Sequence, residues 1–383
     1  QAGDWREKTK ASFKGRMREF ATEVRRAGLG FGIWMEPERF GAEAPIRKER
    51  PEWFVPVGEA ARMDLEQPAA YAWLKGEIAR LVETYKLAWM KIDFNFELDR
   101  DASGAELSGY YRAWYRLVDE LRAAYPRTFF EGCASGAMRT EIESLRRFDN
   151  YFLSDTVNPV DCLRIMQGAH LRLLPGRLGR WAVLRSAGQC LPRYQKRVEE
   201  SPCAILTPCG AGWEPSETVA LDFALLAAMP GMLGLSGDLA GFPPELRKEL
   251  ARHVAFFKKW RRFIAGSAAH LLTPPELLSV RTGWMGFQLQ DLSRGQSLLF
   301  VYRLGAAGDM PRWRLRDLEA AARYTVKRGM DPKARILEMT GADLMNNGLA
   351  PDMPGVGSKV HAAAVYAIAR KGASAKRLGR RRR

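Results

Sequence analysis

Hydrophobic and polar positions follow one rhythm up to about residue 268 of this chain and another beyond it. In the first part, segments with apolar residues three and four apart lead into short continuous apolar runs. Phe13, Met17, Phe20, Val24 and Ala27 share one helical face over 10–27, and Gly28 is placed to stop that helix. Phe-Gly-Ile-Trp-Met (31–35) then reads as a strand. Pro68 opens a second helix with Tyr71, Leu74, Ile78, Leu81, Val82 and Tyr85 inward, and Ala-Trp-Met-Lys-Ile-Asp (88–93) follows as a strand. A helix through Tyr110, Trp114, Leu117, Val118 and Leu121 leads to a strand at 128–132, and a short helix near 138–147 to one at 151–154. Helices near 160–173 and 216–229 flank a fifth strand at 181–185 and precede a sixth at 232–236.

This alternation predicts an α/β fold with a parallel sheet wrapped by helices. Six strand-helix units are visible where a closed (β/α)8 TIM-type barrel needs eight, so the remaining pair is expected upstream. Beyond 268, Leu-Leu-Ser-Val-Arg-Thr (277–282), Met-Gly-Phe-Gln-Leu-Gln (285–290) and Ser-Leu-Leu-Phe-Val-Tyr (297–302) are separated by turns at Gly283 and Gly295. That is hairpin patterning. The predicted organisation is a barrel domain over 1–267 without its first two strands, a small antiparallel β-sandwich domain over 268–370, and a basic disordered tail over 371–383.

Composition narrows the classes. With 383 residues, 46% hydrophobic and 27% charged, the chain is an ordinary globular protein with room for two domains. No window of 18 consecutive apolar residues exists, so no membrane partner is expected. The opening Gln-Ala-Gly-Asp-Trp-Arg-Glu-Lys has neither an initiator Met nor a signal-type apolar core, which predicts a removed start or a fragment. Cys133, Cys162, Cys190, Cys203 and Cys209 make no disulfide framework, and His170, His253, His270 and His361 fall in no ligand pattern. No metal or other cofactor is expected, and the cysteine usage fits a reducing, cytoplasmic compartment. The formal charge of +16 changes the picture less than it promises, because six positive charges lie in the last eight residues. The other bases are scattered among acids without an aromatic-interleaved strip, so nucleic acid is not the expected partner. A nucleic-acid-associated reading rests on charge alone, and salt-sensitive DNA binding lost on deleting the tail would support it.

The candidate chemistry lies in two aspartates, each where an apolar strand runs out: Asp93 in Trp-Met-Lys-Ile-Asp-Phe-Asn and Asp155 in Tyr-Phe-Leu-Ser-Asp-Thr-Val-Asn. Strand tips are where a (β/α) barrel gathers catalytic residues. Taken alone, each aspartate is as readily the N-cap of the next helix. Lys91 lies two residues before Asp93, on the same side of the strand, where its ammonium would lower the Asp93 pKa. By default Lys91 snorkels, Asn95 makes a turn, Trp34 is core, and Cys133 is a small buried thiol. Glu36 and Glu38 turn a loop and pair with nearby arginines, or Glu36 supports the site from behind. The small run Ala134-Ser135-Gly136-Ala137 lets backbone approach a ligand.

Five segments in order carry a resemblance: Gly-Ile-Trp-Met-Glu-Pro-Glu (32–38), Trp-Met-Lys-Ile-Asp-Phe-Asn (89–95), Glu-Gly-Cys-Ala-Ser-Gly-Ala-Met-Arg (131–139), Leu-Ser-Asp-Thr-Val-Asn-Pro (153–159) and Gly-Leu-Ser-Gly-Asp-Leu (234–239). The succession resembles the catalytic domain of the α-galactosidases of glycoside hydrolase family 36, over most of residues 3–267. Arg-Gly-Met-Asp-Pro (328–332) with Leu-Met-Asn-Asn-Gly-Leu (344–349) resembles the end of that family's C-terminal β-domain.

The resemblance implies a retaining glycosidase that takes terminal α-linked galactosides, with an oligosaccharide or glycoside as its partner and no cofactor. Asp93 falls on the nucleophile and Asp155 on the general acid/base, with carboxyls roughly 5–5.5 Å apart. Asp155 is then expected in a drier or more negative setting than Asp93. Lys91, Asn95, Cys133, Gly136 and Trp34 fall on sugar contacts, and Arg62 is a loose candidate for an expected loop arginine. Ala134, Ala137 and Met138 depart from a glycine cluster, and Asn158 stands where a second acidic residue is usual. The family's first two barrel strands, with their paired aspartates, have no counterpart here, so the chain by itself is expected to show little or no activity. The alternatives are a non-catalytic sugar-binding fragment or degenerate barrel, and an α-N-acetylgalactosaminidase or α-galactosyl transferase of the same fold. The full-length protein is open to homo-oligomerisation.

Overall fold

The computed structural model describes residues 3–10, 12–95, 105–156, 158–184, 219–237, 239, 241–291, 293, 295–353 and 360–372. The chain divides into two compact units, Gln1–Phe152 and Leu153–Arg383.

In the first unit the elements are α1 (Met17–Arg26), β1 (Gly32–Met35), β2 (Arg39–Phe40), α2 (Pro45–Glu49), β3 (Phe54–Val57), β4 (Ala60–Met63) and α3 (Pro68–Tyr85), then β5 (Trp89–Ile92), α4 (Ala105–Ala124), β6 (Phe129–Gly132), α5 (Ile142–Arg147) and β7 (Asn150–Phe152). The strands β1, β5, β6 and β7 lie side by side in that order and pair in parallel. Their outward residues Met35, Met90, Ile92, Phe130 and Tyr151 join Leu74, Ile78, Leu81, Trp114 and Leu117 of α3 and α4 in one apolar core. All six residues expected to face inward on α3 are buried there.

Two differences have physical causes. The first helix starts at Met17 rather than near residue 10, because Lys14 and Gly15 take positive φ (50° and 83°) that no α-helix continues. It ends as expected: Gly28 has φ 79°, its N–H reaches Arg25 O, and Leu29 N reaches Val24 O. Second, β2, β4 and β3 form a small antiparallel sheet that the hydrophobic pattern did not announce.

The second unit holds α6 (Pro159–Ala169), β8 (Leu178–Leu184), α7 (Leu221–Ala228), β9 (Met232–Gly237) and α8 (Pro244–Gly266). Strands β8 and β9 pair in parallel. Beyond α8 come β10 (Ala268–Leu271), β11 (Gly283–Gln290), β12 (Gln296–Leu304), β13 (Arg323–Arg328), β14 (Leu337–Thr340), the short helix α9 (Gly341–Asn346) and β15 (Ala362–Arg370), antiparallel as expected but, among the described residues, one sheet rather than a two-sheet sandwich. These six strands make one sheet in the order β10-β11-β12-β15-β13-β14. Leu298, Phe300 and Tyr302 pack with Phe223, Phe256 and Trp260, while Leu299 and Val301 pack with Trp313, Leu315 and Leu344. Both faces of β12 are therefore buried, which is why its sequence is a continuous apolar run.

Residues 277–282 are not the strand their pattern suggested. Their carbonyls are taken by arginines instead: Val280 O and Thr282 O accept from Arg164 at 3.1 and 3.4 Å, and Leu278 O accepts from Arg281 at 3.1 Å. Cys190, Cys203, Cys209, Arg185 of the fifth predicted strand, Asp238 and 373–383 of the tail lie outside the described residues.

Candidate active site

In the first unit the site is built at the C-terminal tips of β1, β5 and β6. A parallel ladder places Trp34, Lys91 and Glu131 in register, so their side chains leave the same face, opposite the helix-packed core. Asp93 follows at the tip of β5, its N–H bonded to Met35 O at 2.9 Å. Its carboxylate is buried, at 6% exposure. Trp34 Nε1 donates to Asp93 Oδ2 at 2.8 Å, and the Phe94 N–H donates to Oδ1 at 2.8 Å. Burial pushes the Asp93 carboxyl up, but hydrogen bonds from Trp34, Asn95 and Cys133, with the charge of Lys91, outweigh it and hold the pKa below the ordinary value. The group is a buried carboxylate kept ionised.

The other expected residues gather around it. Lys91 is buried, with Nζ 3.5 Å above the Phe152 ring. Cys133 is a buried free thiol whose pKa is driven well up by burial and by Asp93, so it is a hydrogen-bond donor rather than a nucleophile. Asn95 accepts at Oδ1 from Ser135 Oγ at 3.3 Å. Ser135 and Gly136 both take positive φ (46° and 89°), turning the backbone after Cys133 toward this cluster. Trp34 keeps 44% of its surface exposed and meets Trp5 edge to face at 6.4 Å. Arg62 is buried on β4, with its guanidinium 4.3 Å from the Tyr110 ring.

Behind the cluster, Glu36 and Glu38 are both buried and both paired with arginine. Glu36 accepts the Asn95 N–H at 2.8 Å and pairs with Arg39 at 3.1 Å, which ties β1 to the loop after Asp93. Burial raises its pKa despite those partners. Glu38 receives Arg139 Nη1 at 2.7 Å and the hydroxyl of Tyr110. Arg139 also lies 3.7 Å from the Phe94 ring, so the loop after β6 clamps the residue next to Asp93.

In the second unit, Asp155 sits just beyond Leu153 and Ser154 and is exposed. That exposure departs from the drier setting expected for it. The buried Arg180 of β8 lies within its electrostatic reach. Arg180 donates to Ser154 O at 3.0 Å and Thr156 O at 3.1 Å, fixing the backbone on both sides of Asp155. Burial depresses the Arg180 pKa to about 10, against the pull of Asp155 and Asp161. Asn158 caps α6, accepting from the N–H groups of Val160 and Asp161 at 2.9 and 3.2 Å. Its Oδ1 also receives Arg281 at 3.0 Å, and Arg281 pairs with Asp161. Asn158 is thus a neutral N-cap where the resemblance expects an acidic residue.

Arg139, Glu131, Arg180 and Arg281 were not singled out from the sequence. Arg139 closes one of the motif segments and was within reach; Arg180 and Arg281 sit in segments without any motif. Among the described residues no group of three or more His, Cys, Asp and Glu side chains could hold a metal, and no helix is long and apolar enough to cross a membrane.

Comparison with known proteins points one way. The family model described as Melibiase matches residues 1–186. Alpha-galactosidase C of Emericella nidulans is 26% identical over 332 residues, covering 84% of this chain and 39% of its own length. The family 36 α-galactosidase of Geobacillus stearothermophilus, solved with raffinose, superposes with TM-score 0.78 at 18% identity over 96% of this chain and 48% of that one. The α-galactosidase of Lactobacillus brevis gives 0.77 at 20% identity, again over 96% and 48%. The chain therefore has the fold of the family 36 α-galactosidases, with a partial barrel and separate antiparallel sheets. It spans about two-fifths of the length of the curated relatives it matches.

Proposed function

We propose that this chain is the catalytic part of a retaining glycosidase acting on terminal α-linked galactosides. The observation that carries the reading is Asp93: a carboxylate at a strand tip, buried yet held ionised by Trp34, the Phe94 N–H, Asn95, Cys133 and Lys91. So many donors on one carboxylate have a cost in buried polar groups that a purely structural aspartate does not require. Relatives named as α-galactosidases support the substrate class, as does the relative solved with raffinose.

In this mechanism Asp93 attacks the anomeric carbon while Asp155 protonates the leaving oxygen. The leaving group departs, and a covalent glycosyl-Asp93 ester remains. Asp155 then takes a proton from water, which attacks the same carbon and releases Asp93. Lys91, Asn95, the Cys133 thiol and the backbone at Gly136 contact sugar hydroxyls, and the open indole face of Trp34 covers an apolar sugar face. Arg62, stacked on Tyr110, remains the candidate for the expected loop arginine. Asp155 needs a proton at rest, so water exclusion on substrate binding has to supply the dry setting its exposed position lacks.

The test is hydrolysis of an aryl α-galactoside by the protein expressed from its whole reading frame, beside its Asp93→Asn variant. The expected loss in kcat is about 10⁴-fold or more. Turnover that survives the substitution contradicts the assignment. A second reading, a sugar-binding protein without turnover, draws on the exposure of Asp155. It predicts galactoside binding that persists in Asp93→Asn with no hydrolysis in either protein.

A further inference from the structure

Trp34, Lys91, Glu131 and Asn150 are register partners across β1, β5, β6 and β7, so their side chains leave one face of the sheet in a row. Glu131 is 4% exposed and Asn150 is 1% exposed. Trp89 Nε1 donates to Glu131 Oε2 at 3.3 Å. The other carboxyl oxygen, Oε1, has no hydrogen-bond partner, and neither has the amide oxygen of Asn150. Two buried acceptor oxygens on adjacent strands, both without a donor, form an arrangement that protein interiors avoid. An ionised carboxylate can only accept, so with the Asn150 amide oriented as it is here it relieves neither oxygen. One proton on Oε1 resolves both, because the hydroxyl then donates to Asn150 Oδ1.

We infer that Glu131 is carried as a neutral carboxylic acid hydrogen-bonded to the Asn150 amide, a positioning residue that completes the floor beside Lys91 without cancelling the Lys91 charge. The surroundings agree. Burial pushes the Glu131 carboxyl up, and the negative charge of Asp93 at the tip of β5 adds to it. The Lys91 charge and the N–H groups that Trp89 from β5 and the Asn150 amide from β7 donate to the carboxyl pull the other way without cancelling the rise. The only covalent event is protonation of one carboxylate oxygen by solvent as the chain folds. Given the function proposed above, the Lys91 ammonium then stays available to Asp93 and to the sugar instead of being spent on its neighbour in the row.

Infrared difference spectroscopy of this chain tests the inference and needs no turnover, so failure of the glycosidase reading would leave it standing. At neutral pH the wild-type chain should show the carbonyl stretch of a protonated carboxylic acid that Glu131→Gln lacks. Carboxylate bands in that difference spectrum overturn the inference. Asn150→Leu should keep the band and shift it to higher frequency, since its hydrogen bond is gone. Absence of that shift overturns the pairing even if Glu131→Gln fails to fold.

Thermal unfolding supplies a second readout. A folded-state pKa raised above the unfolded one gives stability that is complete below the ordinary glutamate range and lost as pH rises through the folded value. The unfolding midpoint of the wild type should therefore fall increasingly behind that of Glu131→Gln as pH rises. A gap that stays constant with pH contradicts a neutral acid.

Discussion

Asp93 keeps its charge in a buried position because donors replace the water that burial removes, Trp34 and the Phe94 N–H each at 2.8 Å. Trp34→Phe keeps the ring and removes the N–H. A hydrogen bond to a charged group contributes about 1.5–3 kcal/mol, so kcat/KM should fall about tenfold or more. The pH dependence gives a sharper check. With a depressed folded pKa, the Asp93 contribution to stability is present above its unfolded pKa and lost as pH falls through the folded value. Removing the Trp34 bond raises the folded pKa, so the acidic limb of the kcat/KM profile should move to higher pH. A limb that stays in place would show that Trp34 does not hold the charge. At this scale the sequence was informative where a side chain sits beside a recognisable strand tip, as Asp93, Lys91 and Cys133 do. Arg180 escaped notice because its importance comes from two carbonyls more than twenty residues earlier, at Ser154 and Thr156. Nothing in Leu-Gly-Arg-Trp announces those partners.

Among the elements, β6 shows how tightly the floor of the site is packed. A Cβ added at Gly132 would lie 2.6 Å from the Tyr151 ring and 3.1 Å from that of Phe148. Gly132→Ala should therefore cost about 1–3 kcal/mol through overpacking, read as a lower urea midpoint. An unchanged midpoint would mean that β6 and β7 can part without penalty. The parallel strands were legible because they appear as short apolar runs between amphipathic helices. The antiparallel sheet of β2, β3 and β4 was not, because Arg-Phe, Phe-Val-Pro-Val and Ala-Ala-Arg-Met are too short to show alternation. The helix α8 was overlooked although Pro244 stands in its first turn and His253, Phe256, Trp260 and Ile264 recur at spacings of three and four on its buried side. In the opposite direction, Leu277 and Leu278 looked like strand residues yet are exposed, and among the described residues no strand pairs with them.

At the scale of the molecule, each of the two units has an apolar core of its own, and the two proposed catalytic aspartates belong to different units. A retaining mechanism therefore places a demand on the whole protein, because both carboxyls must reach one sugar at once. The fold class was readable from rhythm alone, since a change from helical to alternating periodicity survives without any motif. The paired roles proposed for Asp93 and Asp155 were not. Two strand tips are compatible with helix caps as well as with catalysis, and only the flanking segments tie them to a glycosidase. The most direct test of that central claim is to incubate the protein expressed from its whole reading frame with an activated fluorogalactosyl fluoride and map the labelled peptide by mass spectrometry. A glycosyl ester on Asp93, absent from the Asp93→Asn variant, is the predicted result. A label on another carboxylate, or hydrolysis of an aryl α-galactoside with no covalent adduct, would contradict it.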